Sequence, residues 1–269
     1  MKLIEKIKRK IPYYINQKKM KNMTDKLEQK NIKSLKRLGS IYGGWYFQDK
    51  ENLYKSTIIS CGLGEDASFD IEFINYYKGK VIFVDPTPAA INHFKEIYNN
   101  LGSEKVEKYQ KIGKQRIQSY DLSKIKKNQL VFVDKAIYKS ENDELNFYSP
   151  PDKNHVSHSL NDWQNNYKKS GNSIKVKTIT LKKIMMENSL SNIFLLKLDV
   201  EGAEIEVIKS TIESKIYPSQ ICVEFDELHK FSDISKNRFL EIYNLLLKNS
   251  YQLIKTDEHP NFLFVRSID

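Results

Sequence analysis

Short runs of β-branched and aromatic residues recur from residue 56 onward, each followed by a stretch with helical periodicity. Thr57–Cys61 reads as a buried strand ending at Gly62, and Phe69–Tyr77 as the helix after it. Val81–Val84 is a second strand, ending at Asp85, and Ile91–Tyr98 a second helix. Val131–Val133 and Ile193–Leu198 follow as third and fourth strands, then a helix over Ala203–Ile212. Gln220–Phe225 is the fifth strand, Asn237–Leu247 a helix, and Tyr251–Lys255 and Phe262–Val265 two last strands. These runs are nearly continuous in Val, Ile and Phe, as strands covered on both faces are. The alternation predicts an α/β fold: a doubly wound, mostly parallel sheet of seven strands with helices on both faces and an antiparallel C-terminal hairpin.

Two segments depart from this rhythm. An insert at about 140–180 holds Leu145–Tyr148, Pro150-Pro151 and His155–Leu160, and then Ile174–Thr178, which alternates like an edge strand. An insert at the carboxyl end of a sheet strand is commonly a lid or a substrate-binding element. The other segment is the beginning of the chain. Leu3, Ile4, Ile7 and Ile11 fall near helical spacing among Lys2, Lys6, Lys8, Arg9 and Lys10, which predicts a short basic amphipathic helix stopped near Pro12. Residues 1–40 are thus expected to be a basic helical extension and residues 41–269 the main domain.

Charge sharpens that division. The 269-residue chain carries a net charge of +10, and its first forty residues hold 13 Lys and Arg against 3 Asp and Glu. All the excess therefore lies in the extension. The balanced body argues against a broad nucleic-acid face, and no Asn/Asp-Pro-Pro-Tyr motif for amino methylation occurs. The extension could dock weakly on an anionic membrane surface or a partner, or pack as a solvated helix on the body. Two cysteines exclude a disulfide scaffold. No apolar run is long enough to span a bilayer, and the charged start does not resemble a secretory signal. The expected compartment is the cytoplasm, with peripheral contact at the inner membrane surface as an option.

Candidate chemistry gathers where strands end. In Ser60-Cys61-Gly62-Leu63-Gly64-Glu65-Asp66-Ala67, the glycines permit a sharp turn and close approach of backbone to a ligand. Asp85, at the end of the second strand, can accept hydrogen bonds from both ribose hydroxyls, with Thr87 available to cap the helix that follows. These two features suit either a nicotinamide dinucleotide or S-adenosylmethionine. The fourth strand tips the choice toward the latter, because Asp199 and Glu201 end it at the ligand-binding edge. Glu204 and Glu206 follow in the next helix, where a dipole-favoured surface position suits at least one of them. Glu224 and Asp226 end the fifth strand on one parity, with His229 nearby.

SCGLGEDASFD, FVDPTP, LLKLDVEGAEIEVI and VEFDE together resemble the FkbM-type methyltransferases, a class I Rossmann-like family that uses S-adenosylmethionine. The resemblance spans roughly residues 50–265. It implies that the loop over Cys61, Gly62, Gly64, Glu65 and Asp66 contacts the methionine part of the cofactor. It also implies that Asp85, with Pro86 and Thr87 beside it, binds the ribose, that Asp134, Lys135 and Ala136 lie by the adenine, and that Asp199 and Glu201 line the reaction centre. An acceptor hydroxyl on a sugar or nucleotide-linked sugar, in surface-polysaccharide biosynthesis, follows from the same resemblance. The chain departs from the pattern in two places. Ser60 stands where many class I enzymes have an acid, and Asp226-Glu227 stand where the family often has histidines.

A sugar hydroxyl is a poor nucleophile and needs a base or a metal. Asp199, Glu224 and Asp226 could hold a divalent ion such as Mg or Mn. His155 or His158 in the insert could instead act as base once a lid closes, although both could equally be exposed loop residues. Lys153, Lys168 and Lys169 could meet the phosphates of a nucleotide sugar. A non-catalytic cofactor-binding module and a nucleic-acid methyltransferase are the rival readings.

Overall fold

The computed structural model describes residues 14–148, 172–257 and 260–267. The expected helix over residues 1–11 lies outside the described residues, as do His155, His158, Lys153, Lys168 and Lys169. Residues 14–24 are helical (α1). After it the first forty residues are not helical throughout, because β1 (Leu35–Leu38) forms a hairpin with β2 (Trp45–Gln48). That hairpin was not anticipated. Its strands have four residues each, and Gly39 turns out of β1 at φ +91°.

The main sheet has seven strands. β3 (Thr57–Cys61), β4 (Lys80–Val84) and β5 (Leu130–Val133) run parallel on one side. β9 (Leu196–Leu198) and β10 (Gln220–Glu224) run parallel on the other. β12 (Asn261–Arg266) pairs antiparallel with both β10 and β11 (Tyr251–Thr256), giving the order β11-β12-β10-β9-β3-β4-β5. This is the expected doubly wound sheet with its antiparallel hairpin. The fourth strand is shorter than its apolar run, yet Ile59 N–H still bonds to Leu195 O at 3.2 Å.

Strand alternation divides the core in two. Ile59, Ile82, Leu196 and Ile221 face one apolar cluster, shared with α4 (Leu181–Glu187), α5 (Glu204–Glu213) and α6 (Asp233–Lys248). Ile58, Val81, Phe83 and Cys222 face the other, shared with α2 (Ser68–Tyr77), α3 (Pro88–Asn99) and β2. Covering both faces of a parallel sheet is what its near-continuous apolar strands require. Caps set the helix starts. Ser232 and Ser235 form a capping box, so α6 begins at Asp233 rather than Asn237.

Ile174–Thr178 is not an edge strand. It lies within β8 (Ser173–Ile179), the centre of a separate three-stranded sheet. β8 pairs antiparallel with β7 (Glu144–Tyr148) and parallel with β6 (Ala136–Ile137). Its alternating residues put Val176 and Thr178 inside, with neighbours on both sides. This small sheet frames the insert.

Candidate functional site at the carboxyl edge of the sheet

The parallel strands end level with one another. Cys61 stands opposite Val84 and Leu198, Val84 opposite Val133, and Leu198 opposite Val223. Gly62, Asp85, Asp134, Asp199 and Glu224 are thereby brought to one edge. Strand order reverses between β3 and β9, and open α/β sheets bind ligands in the crevice at such a switch point. Gly62 forms its floor. Its φ is +83°, and a Cβ there would lie 1.7 Å from the Asp199 carbonyl oxygen. A Cβ at Gly64 (φ +53°) would meet nothing within 4 Å, so this side of the loop faces open space.

Beneath the loop sits a cation that the sequence reading passed over. Lys197, 4% exposed, donates from Nζ to Gly62 O at 2.7 Å and lies 3.8 Å from Asp199 Oδ2. Trp45 covers it, with Nζ 5.5 Å from the ring, and packs in the core. A lysine inside the apolar run Leu195–Leu198 was the available signal, since a buried charge needs partners. Asp70, on α2, is one of the charges facing it. Burial pushes this carboxyl up to about 6, opposed by Lys197.

Asp85 holds the glycine loop together. Oδ2 accepts from Leu63 N and Gly64 N, both at 3.0 Å. Oδ1 accepts from Thr87 N at 2.8 Å and Thr87 Oγ1 at 2.6 Å. A ribose hydroxyl would have to share these oxygens, which already take four donors. Thr87 caps α3 through Ala90 N at 3.4 Å, and Pro86 is half-buried beside it. Glu65 and Asp66 turn toward neighbouring loops. Glu65 pairs with Lys114, and Asp66 accepts from Ser40 Oγ, Gln115 Nε2 and Ser68 N. The Tyr120 hydroxyl, which accepts from Ala67 N, bridges this turn to the buried His93 of α3. Cys61 is a buried core thiol, pushed far up by burial. Beyond β5, Asp134 is exposed, Lys135 half-buried and Ala136 buried in β6.

The loop after β9 is braced from below. Glu201 and Gly202 both have positive φ, +56° and +108°. Glu204 holds that turn by accepting from Val200 N at 3.1 Å and from Gly202 N at 3.1 and 3.2 Å. It is 3% exposed and structural, whereas Glu206 pairs at the surface with Lys139 and Arg238. The Asp199 side chain, one-third exposed, has its carboxyl raised by the surrounding protein and by Asp85, against Lys197 and His229.

Beside Asp199 stands Glu224, an expected site residue, paired with His229. His229, in the 3-10 turn Asp226–Lys230 after β10, lies with Nε2 2.6 Å from Glu224 Oε1. Desolvation pushes this imidazole down to about 4, with Asp199 opposing. It is therefore neutral near pH 7, and a neutral ring facing a carboxylate donates Nε2–H and keeps its lone pair on Nδ1. Asp226 is only 2% exposed, turned into the protein. The expected metal set of Asp199, Glu224 and Asp226 is not assembled. Among the described residues no group of three or more His, Cys, Asp and Glu is disposed to hold a metal.

The family profile described as the methyltransferase FkbM domain matches residues 43–253. The chain belongs to the FkbM methyltransferase family. No curated protein and no solved structure matches it significantly. The protein is thus a methyltransferase, and its family points to S-adenosylmethionine as the methyl donor. The site fits such a cation. Asp199, Glu224, Glu201 and Asp66 all act on the Tyr42 hydroxyl, and a sulfonium and an ammonium suit a cleft with these carboxylates. The amides that could cradle a phosphate are also taken, those of Leu63 and Gly64 by Asp85, Ala67 by Tyr120 and Ser68 by Asp66.

Two predictions follow from these braces. Asp85→Ala leaves buried N–H groups without acceptors, each worth about 1–3 kcal/mol. Urea unfolding without any ligand should show a loss of at least about 2 kcal/mol, and a variant as stable as the parent would refute the anchoring role. Glu204, pushed up to about 8 by burial, keeps a proton in the folded state that the unfolded chain releases near 4.5. The folded state then binds more protons, so stability falls as pH rises from 4.5 to about 8. Glu204→Gln keeps an acceptor for Val200 and Gly202 and should flatten that fall. An unchanged slope in a pH series of urea melts would show the assignment to be wrong.

Proposed function

We propose that this methyltransferase acts on a hydroxyl of a sugar or nucleotide-linked sugar, in the biosynthesis of a surface polysaccharide on the cytoplasmic side of the membrane. The observation that carries O-methylation is the Glu224–His229 pair beside Asp199 at the switch point. Alcohol methylation needs a proton acceptor as the oxygen attacks. The sugar class rests on the motif resemblance, with Lys153, Lys168 and Lys169 of the insert as partners for nucleotide phosphates. Among the described residues no helix is long and apolar enough to cross a membrane.

Bound S-adenosylmethionine supplies an electrophilic methyl group on a sulfonium. The chain's own residues do the rest. The cleft carboxylates favour the cationic donor, and Gly64 lets it approach the backbone. His229 Nδ1 takes the hydroxyl proton as the new O–C bond forms. Glu224, accepting the Nε2–H, fixes the ring and stabilises the imidazolium, and Asp199 adds to that stabilisation. In this arrangement Asp199, Glu224 and His229 serve the reaction without a metal ion.

Thermal unfolding with S-adenosylhomocysteine tests the cofactor. A ligand at about 100 times its dissociation constant adds roughly 2.7 kcal/mol. A shift from NAD instead, or from neither, would overturn the assignment. With a panel of nucleotide sugars as acceptors, His229→Ala should lower kcat by about 10²–10⁴ while S-adenosylhomocysteine still binds. Because His229 is held down to about 4, the parent's rate should be level through neutral pH and fall only as pH drops toward that value. A kcat unaffected by the substitution would remove His229 from the mechanism.

A further inference from the structure

We propose that the amino-terminal extension docks the enzyme on an anionic lipid surface, with the His229 edge of the sheet turned toward it. The full +10 net charge of the chain comes from its first forty residues. α1 has two faces. Met20 and Met23 join the core with Leu27 packed beside them, while Lys18, Lys19 and Lys21 are exposed. Ile15 shares the outward face at 51% exposure, next to Tyr14 at 59%. Apolar side chains held out among lysines on a helix suit the headgroup boundary of an anionic bilayer, where both kinds of side chain find partners. The preceding sequence, with Leu3, Ile4 and Ile7 among five basic residues, has the same composition.

The amino end of α1 is fastened to the catalytic segment. Asn16 Nδ2 donates to Leu228 O at 3.0 Å, and Asn16 Oδ1 accepts from Phe231 N at 2.5 Å. These bonds bracket His229. Further along, Lys30 N donates to Leu253 O of β11 at 2.9 Å. The helix that carries Lys18, Lys19 and Lys21 is therefore fastened beside His229. The docking does not depend on which acceptor the enzyme takes.

The test uses the full chain without acceptor. Co-sedimentation is measured with vesicles of phosphatidylcholine alone and of equal parts phosphatidylcholine and phosphatidylglycerol, at low and high salt, with duplex DNA as competitor. The expected result is partition onto the anionic vesicles only, weakened by salt. The combined Lys18→Glu, Lys19→Glu and Lys21→Glu variant should bind at least about tenfold more weakly, and Ile15→Ser should also weaken binding. Both variants should melt like the parent and bind S-adenosylhomocysteine equally, which separates failure of docking from failure of the enzyme. Hydrogen exchange on vesicles should add protection at residues 14–24 and 225–231. No partition, equal partition onto neutral vesicles, displacement by DNA, unaltered binding by both variants, or added protection elsewhere alone would each overturn the proposal.

Discussion

Gly62 and Asp199 touch where the sheet changes direction, and the rest of the site is arranged around that contact. A side chain at position 62 would run into the Asp199 carbonyl, so the two strand ends meet backbone to backbone. Asp199 N–H completes the contact by donating to Cys61 O at 3.1 Å. Lys197 then ties the Gly62 carbonyl to the sheet from below, and Asp85 ties the following amides from the side. The crevice is fixed by charged groups that are themselves withdrawn from water. Withdrawn charges are costly unless paired, and here each is paired with backbone.

This division of labour separates the carboxylates into two kinds. Asp85, Asp66 and Glu204 are consumed in holding turns and helix starts. Asp199 and Glu224 remain at the crevice with His229, where they set the field that a ligand meets. A sequence presents all of them alike, as acids near strand ends. Only their partners tell them apart, and those partners are amides brought within reach by the turns. Glu201 illustrates the cost. Its left-handed backbone is unfavourable by of order 1 kcal/mol, and it stays because Glu204 grips the residues on either side.

The doubly wound sheet and the edge at which its acidic strand ends gather were legible in the sequence, because period and apolar continuity dictate them. Thr57–Cys61 and Val81–Val84 were placed almost to the residue, since Gly62 and Asp85 punctuate them. The hairpin of Leu35–Leu38 with Trp45–Gln48 was not legible, as its strands are short and follow a stretch dominated by lysine. β8 was misplaced for a different reason. Alternation marks a strand with one solvated face, and such a strand can be central in a small sheet as readily as peripheral in a large one. Lys197 was marked only by its place inside an apolar run, and nothing adjacent in sequence separates the buried Glu204 from Glu206 at the surface. The contact of His229 with Glu224 was not legible, because it depends on a 3-10 turn that carries the ring back against the end of β10.

Tyr148 pairs with Ser173 at the end of the β7–β8 ladder. The two residues face each other across an antiparallel ladder, so the segment between them leaves and rejoins the fold at a single point. Closing a loop costs free energy that grows only with the logarithm of its length, about 0.6 kcal/mol per doubling. Segments of quite different length and sequence can therefore be exchanged at this junction without disturbing the crevice. In evolutionary terms the junction tolerates exchange: the crevice stays constant while the sequence between the two strands is free to vary.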